Sequence, residues 1–283
     1  MKHHIKSNYS QTTVMNITPE VAGWAYLSFR VIKLQPGETY QENTGSNEVA
    51  LVPLEGAGRL MVDNQQWSVS RESVFTQMPH VLYVPPGYSL NVEATSPFEF
   101  AVGGAPAHGH YPIRLFTPDE QKVEVRGGGT AVREVHHTLA WPLPAERLIL
   151  FEVYVPGGTW SGWPPHCHDR YEGSPYLEET YYYRIQPEAG VAFHRNYRLD
   201  TAFDEIIPAG HGDCVLVTQG FHPVAAAPGS NVYFLNYLAG EPQHEARNYQ
   251  PIEDPTTVWI KEDWDKNNMT LPIQFSNGGK NDT

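Results

Sequence analysis

The chain of 283 residues holds only two cysteines, Cys167 and Cys214. That is too few for a disulfide framework, and it suits a reducing cytoplasm. Cationic residues are also scarce: 19 Lys and Arg stand against 32 Asp and Glu, a net charge of −13. This balance argues against nucleic acid or an anionic membrane as partner, and leaves room for an acidic small molecule only where a local Arg or metal holds it. No apolar run approaches the roughly 18 residues needed to span a bilayer. The start, MKHHIKSNYSQ, is charged but leads into no apolar segment of the secretory kind. Long Ala/Leu/Glu/Lys stretches are missing too. What the chain has instead is 24 Gly, 24 Pro and 16 Tyr, a composition that favours short strands joined by many turns.

Residues 1–24 read as an irregular arm. Alternation in AYLSFRVIKL (25–34) predicts a strand that ends at Gln35-Pro36-Gly37, and further short strands are expected at 48–54, 58–62, 67–69, 81–84, 89–94 and 98–102. Residues 106–145, rich in Gly, Pro and His, read as a connection. Strands resume at 147–155 and recur at 180–185, 191–197, 204–207, 214–217, 222–226 and 231–238, before a polar tail over 241–283. Many short strands at this spacing indicate an all-β sandwich or barrel rather than βαβ units.

The two strand-rich stretches, 25–105 and 146–240, repeat each other. Val31–Gly37 matches Glu152–Gly157 in kind, Val84–Ser89 corresponds to Val217–His222, and Glu48 is paired with Glu179. A period of about 130 residues indicates a duplicated domain rather than a solenoid, whose repeats run to roughly 20–50 residues. The copies differ in chemistry. Only the second has His-X-His after its Pro-Gly turn, and Ser89 stands where the second has His222. The first copy is therefore expected to be structural and the second to carry the site.

That site centres on SGWPPHCHDRYEGSPYLEETYYYR (161–184). On a strand, His166 and His168 share a face while Cys167 points away into packing. Two imidazoles and a carboxylate facing one cavity suit a divalent transition metal, and His222, after the turn Gly212-Asp213 and the strand 214–217, supplies a further ligand. Of the adjacent Glu178 and Glu179 only one can face inward; Glu179, which shares its face with Tyr181 and Tyr183, is the expected ligand.

The motifs PPHCHD, LEETYYYR, GDCVLVTQGFHP and YFLNYLAGEP resemble those of the 5-deoxy-glucuronate isomerase family of inositol breakdown, within the cupin superfamily. The resemblance implies tandem cupin β-barrels (a bicupin). It also implies a metal-dependent isomerase that converts 5-deoxy-D-glucuronate to 5-dehydro-2-deoxy-D-gluconate. Cys167 and Leu238 depart from the family's usual basic residue and Met, and neither is a proposed ligand.

Moving a carbonyl from C1 to C2 requires removal of a weakly acidic C2 proton. A divalent cation (Zn²⁺, Mn²⁺ or Fe²⁺) at His166, His168, Glu179 and His222 would polarise the substrate oxygens, and a base would carry the proton. Tyr181, Tyr183 and Glu178 are the candidates for proton transfer, with Glu178 disfavoured by its parity. Arg184 and Arg195 are candidates for the substrate carboxylate, and His194 lies nearby. A homo-oligomer is expected because duplicated barrels expose sheet edges. The competing readings are a related uronate ketol-isomerase of pectin breakdown, an Fe-dependent bicupin dioxygenase and a non-catalytic sugar-binding cupin.

Overall fold

The computed structural model describes residues 3–273, so residues 1–2 of the expected arm and 274–283 of the expected tail lie outside the described residues. Nearly all the regular structure is antiparallel β-sheet, as the composition predicts. One large sheet is built from residues 13–116 and a second from 4–5 and 122–240. A smaller four-stranded sheet (Trp160–Ser161, Val224–Ala226, Ala192–Tyr197, Asp204–Ala209) faces the second across its interior.

Several expected strand pairs are continuous. Residues 48–54 and 58–62 join as Asn47–Val62, and 89–94 and 98–102 join as Ser89–Pro106. Turn-like residues interrupt the pattern there, but the partner strand absorbs them as bulges, with register shifts between Pro53/Glu55 and Gly56/Gly58. Gly56, at φ +91°, permits one of these bends; a Cβ there would fall 1.7 Å from the Pro97 carbonyl oxygen.

Three segments depart from expectation more substantially. The arm is not irregular: His4–Ile5 pairs with Cys214–Val217 in the second sheet, and Thr13–Ile17 then pairs with Ser28–Leu34 in the first. The stretch read as a connection forms Arg114–Phe116 on the first sheet and a hairpin, Lys122–Arg126 with Arg133–His137, that extends the second. The tail folds back, so that Ile252–Glu253 pairs with His166–Cys167. For His4–Ile5, Arg114–Phe116 and Ile252–Glu253 the partner strand lies far away in sequence, so local pattern carried no signal for it.

The apolar residues sort into three large clusters. One fills the first half (Ile32, Leu51, Leu60, Phe98, Phe100 and neighbours), one lines the second half (Val153, Tyr181, Tyr183, Val217, Phe234), and the largest lies between them, with Phe29, Tyr83, Tyr182 and Tyr237. A buried ion pair crosses this junction: Arg71 forms two parallel bonds to Glu152, of 2.7 and 2.9 Å, and Tyr233 adds a third to the same carboxylate at 2.7 Å. Such a pair survives burial only when its remaining donors and lone pairs are occupied, as they are here.

Register corrects one detail of the repeat. Val49 lies opposite Val84, and Glu179 opposite Val217, so the residue equivalent to Glu179 is Val49. Glu48 is equivalent instead to Glu178, and the two do the same work in opposite directions. Glu48 accepts the backbone N–H groups of Glu146, Arg147 and Leu148, while Glu178 accepts those of Ala25, Tyr26 and Leu27. Each carboxylate thus satisfies the donors that lead into the other half's first central strand.

Candidate metal centre

Strict alternation along Leu177–Gln186 divides its side chains between two environments. Glu179, Tyr181 and Tyr183 face the interior of the second half, whereas Glu178, Tyr182 and Arg184 face the first half. On the inward side Glu179 meets the three histidines. His166 sits on the short strand paired with Ile252–Glu253, and His168 follows it. Cys167, pointing the other way, packs with Tyr197 and Phe221, as expected of it.

His222 arrives on a loop whose geometry depends on Gly220. That residue has φ +80°, and a Cβ on it would fall 2.2 Å from the Tyr197 carbonyl oxygen. Phe221 and Tyr197 exchange both backbone hydrogen bonds, at 2.7 and 3.0 Å, and Asp169 accepts the Gly220 N–H at 2.8 Å. The residue after one ligand therefore fixes the loop that presents another.

The ligand atoms of His166, His168 and His222 lie within 4.8 Å of one another. Glu179 Oε2 is 2.9 Å from His168 Nε2 and 3.4 Å from His222 Nε2. The far side of two rings is already committed: His168 Nδ1 lies 3.0 Å from the Leu177 carbonyl oxygen, and His222 Nδ1 is 3.0 Å from that of Gly220. Since a carbonyl only accepts, each Nδ1 carries the proton and each Nε2 directs a lone pair at the cluster. His222 Nε2 is buried with no hydrogen-bond partner, and His168 Nε2 faces a carboxylate that also only accepts. Lone pairs converging on one point in a buried site call for a cation between them. The four residues fit a divalent metal.

The electrostatics agree. Burial, then the neighbouring His168, holds His166 down at about 3, and burial with both neighbouring imidazoles holds His222 well below its usual value. These rings are neutral, as ligation requires. Burial raises Glu179, opposed by its contact with His168. For His168 burial opposes protonation, but the Glu179 contact outweighs it and the pKa rises. Glu179 thus favours a positive charge at His168 Nε2, a place that a proton or a metal ion can fill.

His166, Glu179 and Tyr181 open onto a cavity of about 610 Å³. Its other walls come from the hairpin and from the folded-back tail: Lys122, Glu124, Arg126, Arg133 and His137 on one side, Tyr249, Gln250, Glu253 and Lys261 on the other. None of these was singled out from sequence. Their segments carried no motif, although the abundance of His and Arg in 106–145 was a visible signal.

The other sequence candidates lie elsewhere. The carboxylate of Glu178 is occupied by three backbone N–H groups and the Tyr176 hydroxyl, away from the cavity. Arg184 is buried against Glu99 of the first half and bonds His211 at 2.8 Å. Arg195 makes a bidentate pair with Asp204 on the exposed side, at 2.8 and 2.7 Å. His194 and Tyr183 form a buried relay behind Tyr181: the Tyr183 hydroxyl is 2.7 Å from His194 Nδ1, and His194 Nε2 is 3.0 Å from Asn196 Oδ1. Neither lines the cavity.

Comparison with known proteins is consistent with this geometry. A family model described as the KduI/IolB family matches residues 1–260. The chain is 38% identical to the 5-deoxy-glucuronate isomerase of Geobacillus thermodenitrificans, an alignment covering 93% of this chain and 97% of that one. It is 40% identical to the enzyme of the same name from Geobacillus kaustophilus, covering 88% and 91%. Among solved structures, an IolB-like protein from Salmonella typhimurium LT2 superposes with a TM-score of 0.87 at 33% identity, covering 92% of this chain and 100% of that one. Oxalate decarboxylase from Bacillus subtilis shares the fold at a TM-score of 0.62 and 12% identity, covering 89% and 79%.

Proposed function

The chain belongs to the KduI/IolB family, and from that membership and the site we propose that it is an aldose–ketose isomerase acting on 5-deoxy-D-glucuronate to give 5-dehydro-2-deoxy-D-gluconate. The observation that carries the reading is the convergence of three imidazoles, among them the unpartnered buried Nε2 of His222, and Glu179 beside a cavity large enough for a hexuronate. His166, His168, Glu179 and His222 would hold the metal, with Zn²⁺, Mn²⁺ and Fe²⁺ all compatible with three imidazoles and a carboxylate. When bound, the metal supplies Lewis acidity that draws charge from the substrate carbonyl and so acidifies the neighbouring C–H. The same reading assigns residues 25–105 to a barrel without ligands and 146–240 to the working barrel. It also retains a homo-oligomer, for which the edge strand Asp204–Ala209, with Ile206 66% exposed, offers one surface.

The chain's own residues divide the remaining work. Burial, then Glu179 and Tyr183, raises the Tyr181 hydroxyl well above its usual value, so Tyr181 keeps its proton and acts as a hydrogen-bond donor to a substrate oxygen. The Tyr183–His194–Asn196 relay packs behind it, with the Tyr181 and His194 rings 4.7 Å apart edge to face, and positions it without meeting substrate. For the base that carries the proton between C2 and C1 we assign His137. It lines the cavity, lies outside the ligand set, and has Nε2 2.8 Å from Glu124 Oε1. That contact orients the ring so that Nδ1 is the accepting atom. Burial lowers the His137 pKa against the pull of Glu124, which keeps the ring neutral at pH 7.

The test is turnover of 5-deoxy-D-glucuronate followed by NMR in D₂O, with and without a chelator. The expected result is the 5-keto product, its ketone at the substrate's C2, with solvent deuterium at the transferred position, and loss of activity that returns when metal is restored. No product, or full activity after verified metal removal, would overturn the assignment. Complete retention of the substrate hydrogen would remove His137 from its role.

A further inference from the structure

The cavity walls carry five cationic side chains, and four of them are already committed. Lys122 and Arg126 both pair with Glu124, and Lys261 pairs with Glu253. Arg247 gives its guanidinium to the carbonyl oxygens of Leu139, Leu143 and Leu148. Arg133 is different. Among the described residues no carboxylate lies within 4.0 Å of it, and its one hydrogen bond goes to the Trp163 carbonyl oxygen at a long 3.4 Å.

Two further features make this position costly without an anion. Arg133 lies directly opposite Arg126 in the hairpin register, so the two share a face, and like charges placed this way repel. The guanidinium is also half-buried; burial first, then Arg126, pulls its pKa down to about 10. A half-buried arginine facing a like charge, with unspent donors at the wall of a substrate-sized cavity, is suited to receive a carboxylate. Its bond to Trp163 also ties it to the segment that continues through Pro164 and Pro165 to the ligand His166.

We propose that Arg133 receives the carboxylate of the sugar-acid substrate and sets the enzyme's preference for uronates over neutral sugars. This rests on the isomerase reading above. The carboxylate end of the substrate docks on the hairpin while its carbonyl end faces Glu179 and the histidines, which fixes which end of the sugar reacts.

The experiment compares wild type, R133M and R133K on 5-deoxy-glucuronate and on 5-deoxy-glucose, in which a hydroxymethyl group replaces the carboxylate. Bound metal is measured for each protein. Wild type should favour the acid. R133M should lose about 30- to 100-fold in kcat/KM on the acid, mainly through KM, as expected for one charge-assisted pair. Its kcat/KM on the neutral sugar and its metal content should stay the same, so the preference disappears. R133K keeps the charge and the hydrocarbon stem but not the planar fork, and should show a smaller loss of the same sign; it also serves as the readout should R133M fold poorly. R59M, on the first sheet and paired with Glu93 at 3.4 Å outside the cavity, should change either substrate by less than about 3-fold, as expected for an exposed pair. Retention of the acid preference in R133M, or equal losses on both sugars, would overturn the proposal while leaving the isomerase reading standing. A wild type that turns over neither sugar would overturn the isomerase reading itself, and the proposal with it.

Discussion

The two large sheets put Val49 and Glu179 at the same register position, and Ser89 and His222 at the same turn, yet they enclose opposite interiors. Val49 is packed among Ile32, Leu51, Val84, Phe98 and Phe100. Glu179 meets three histidines and a cavity. What the halves keep in common is the neighbouring carboxylate, Glu48 or Glu178, which caps the strand entry of the other half. The feature retained in both copies is therefore the one that joins them, and the features that differ are those of the proposed site. Adjacent glutamates in LEET divide these two tasks by parity alone.

Removing a ligand should break the comparison most completely. His222→Ala is expected to lose bound metal and at least about 10³-fold in activity, since Lewis-acid stabilisation is worth several kcal/mol. Ser89→Ala, its counterpart, should retain both. Elemental analysis of the purified variants alongside turnover decides this; stoichiometric metal in His222→Ala would mean that the working half is misassigned.

His137 has no counterpart in the first half: the strand at the equivalent edge position there, Thr13–Ile17, carries no histidine. His137→Gln should lower kcat by about 10²-fold or more with metal retained, the usual scale for loss of a general base. The pH profile gives the sign. The base works when neutral and its pKa is held below 6.5, so activity should be flat around pH 7 and fall on the acid side below pH 6.5. A limb above pH 7, or an unchanged acid limb in His137→Gln, would assign the role elsewhere.

The reciprocal glutamates offer an effect on stability rather than chemistry. Glu48→Ala and Glu178→Ala each leave three backbone N–H groups without their acceptor. Each should lose several kcal/mol, about 1–3 for every buried donor left unpaired. Urea titration should find the two losses within a factor of two. Glu178→Ala should still bind metal where it folds; loss of metal at unchanged stability would place Glu178 in the site after all.

These contrasts also explain what could be read without coordinates. His166, His168, Glu179 and His222 were legible because metal ligation uses few residue types, and because alternation along a strand tells which neighbour faces inward. The tyrosine-rich strand was legible for the same reason, as were the strands at 81–84 and 214–217. The cavity's other walls were not. Arg133 and His137 reach the site through the pairing of 133–137 with 149–155, and Tyr249 through the pairing of 252–253 with 166–167, contacts set by tertiary packing with no local periodicity to announce them. The repeat misled at one position, since Glu48 looks like the partner of Glu179 until register shows that carboxylates recur at the joint and not at the metal. Arg184, named as a candidate for the substrate carboxylate, is on the strand face opposite Glu179, and its place between Glu99 and His211 follows from that parity.

The smallest effect is expected at Arg195, and it sharpens the comparison by separating charge from function. Its pair with Asp204 is bidentate and well formed, yet both side chains are about half exposed, and solvent screening leaves such pairs worth about 0–1 kcal/mol. The four-stranded sheet that bears it has an outward face lined by Phe193, Arg195 and Ile206, while His194 and Ile207 point into the second half. Arg195→Ala should therefore leave kcat/KM on both acid and neutral sugars within about 2-fold and move stability by less than about 1 kcal/mol. Arg184→Ala, by contrast, strands a buried Glu99 and should cost about 3–5 kcal/mol. If Arg195→Ala instead raised KM for the acid alone, the substrate would be reaching the outer face of this sheet, and the cavity beside Glu179 would no longer be where the carboxylate binds.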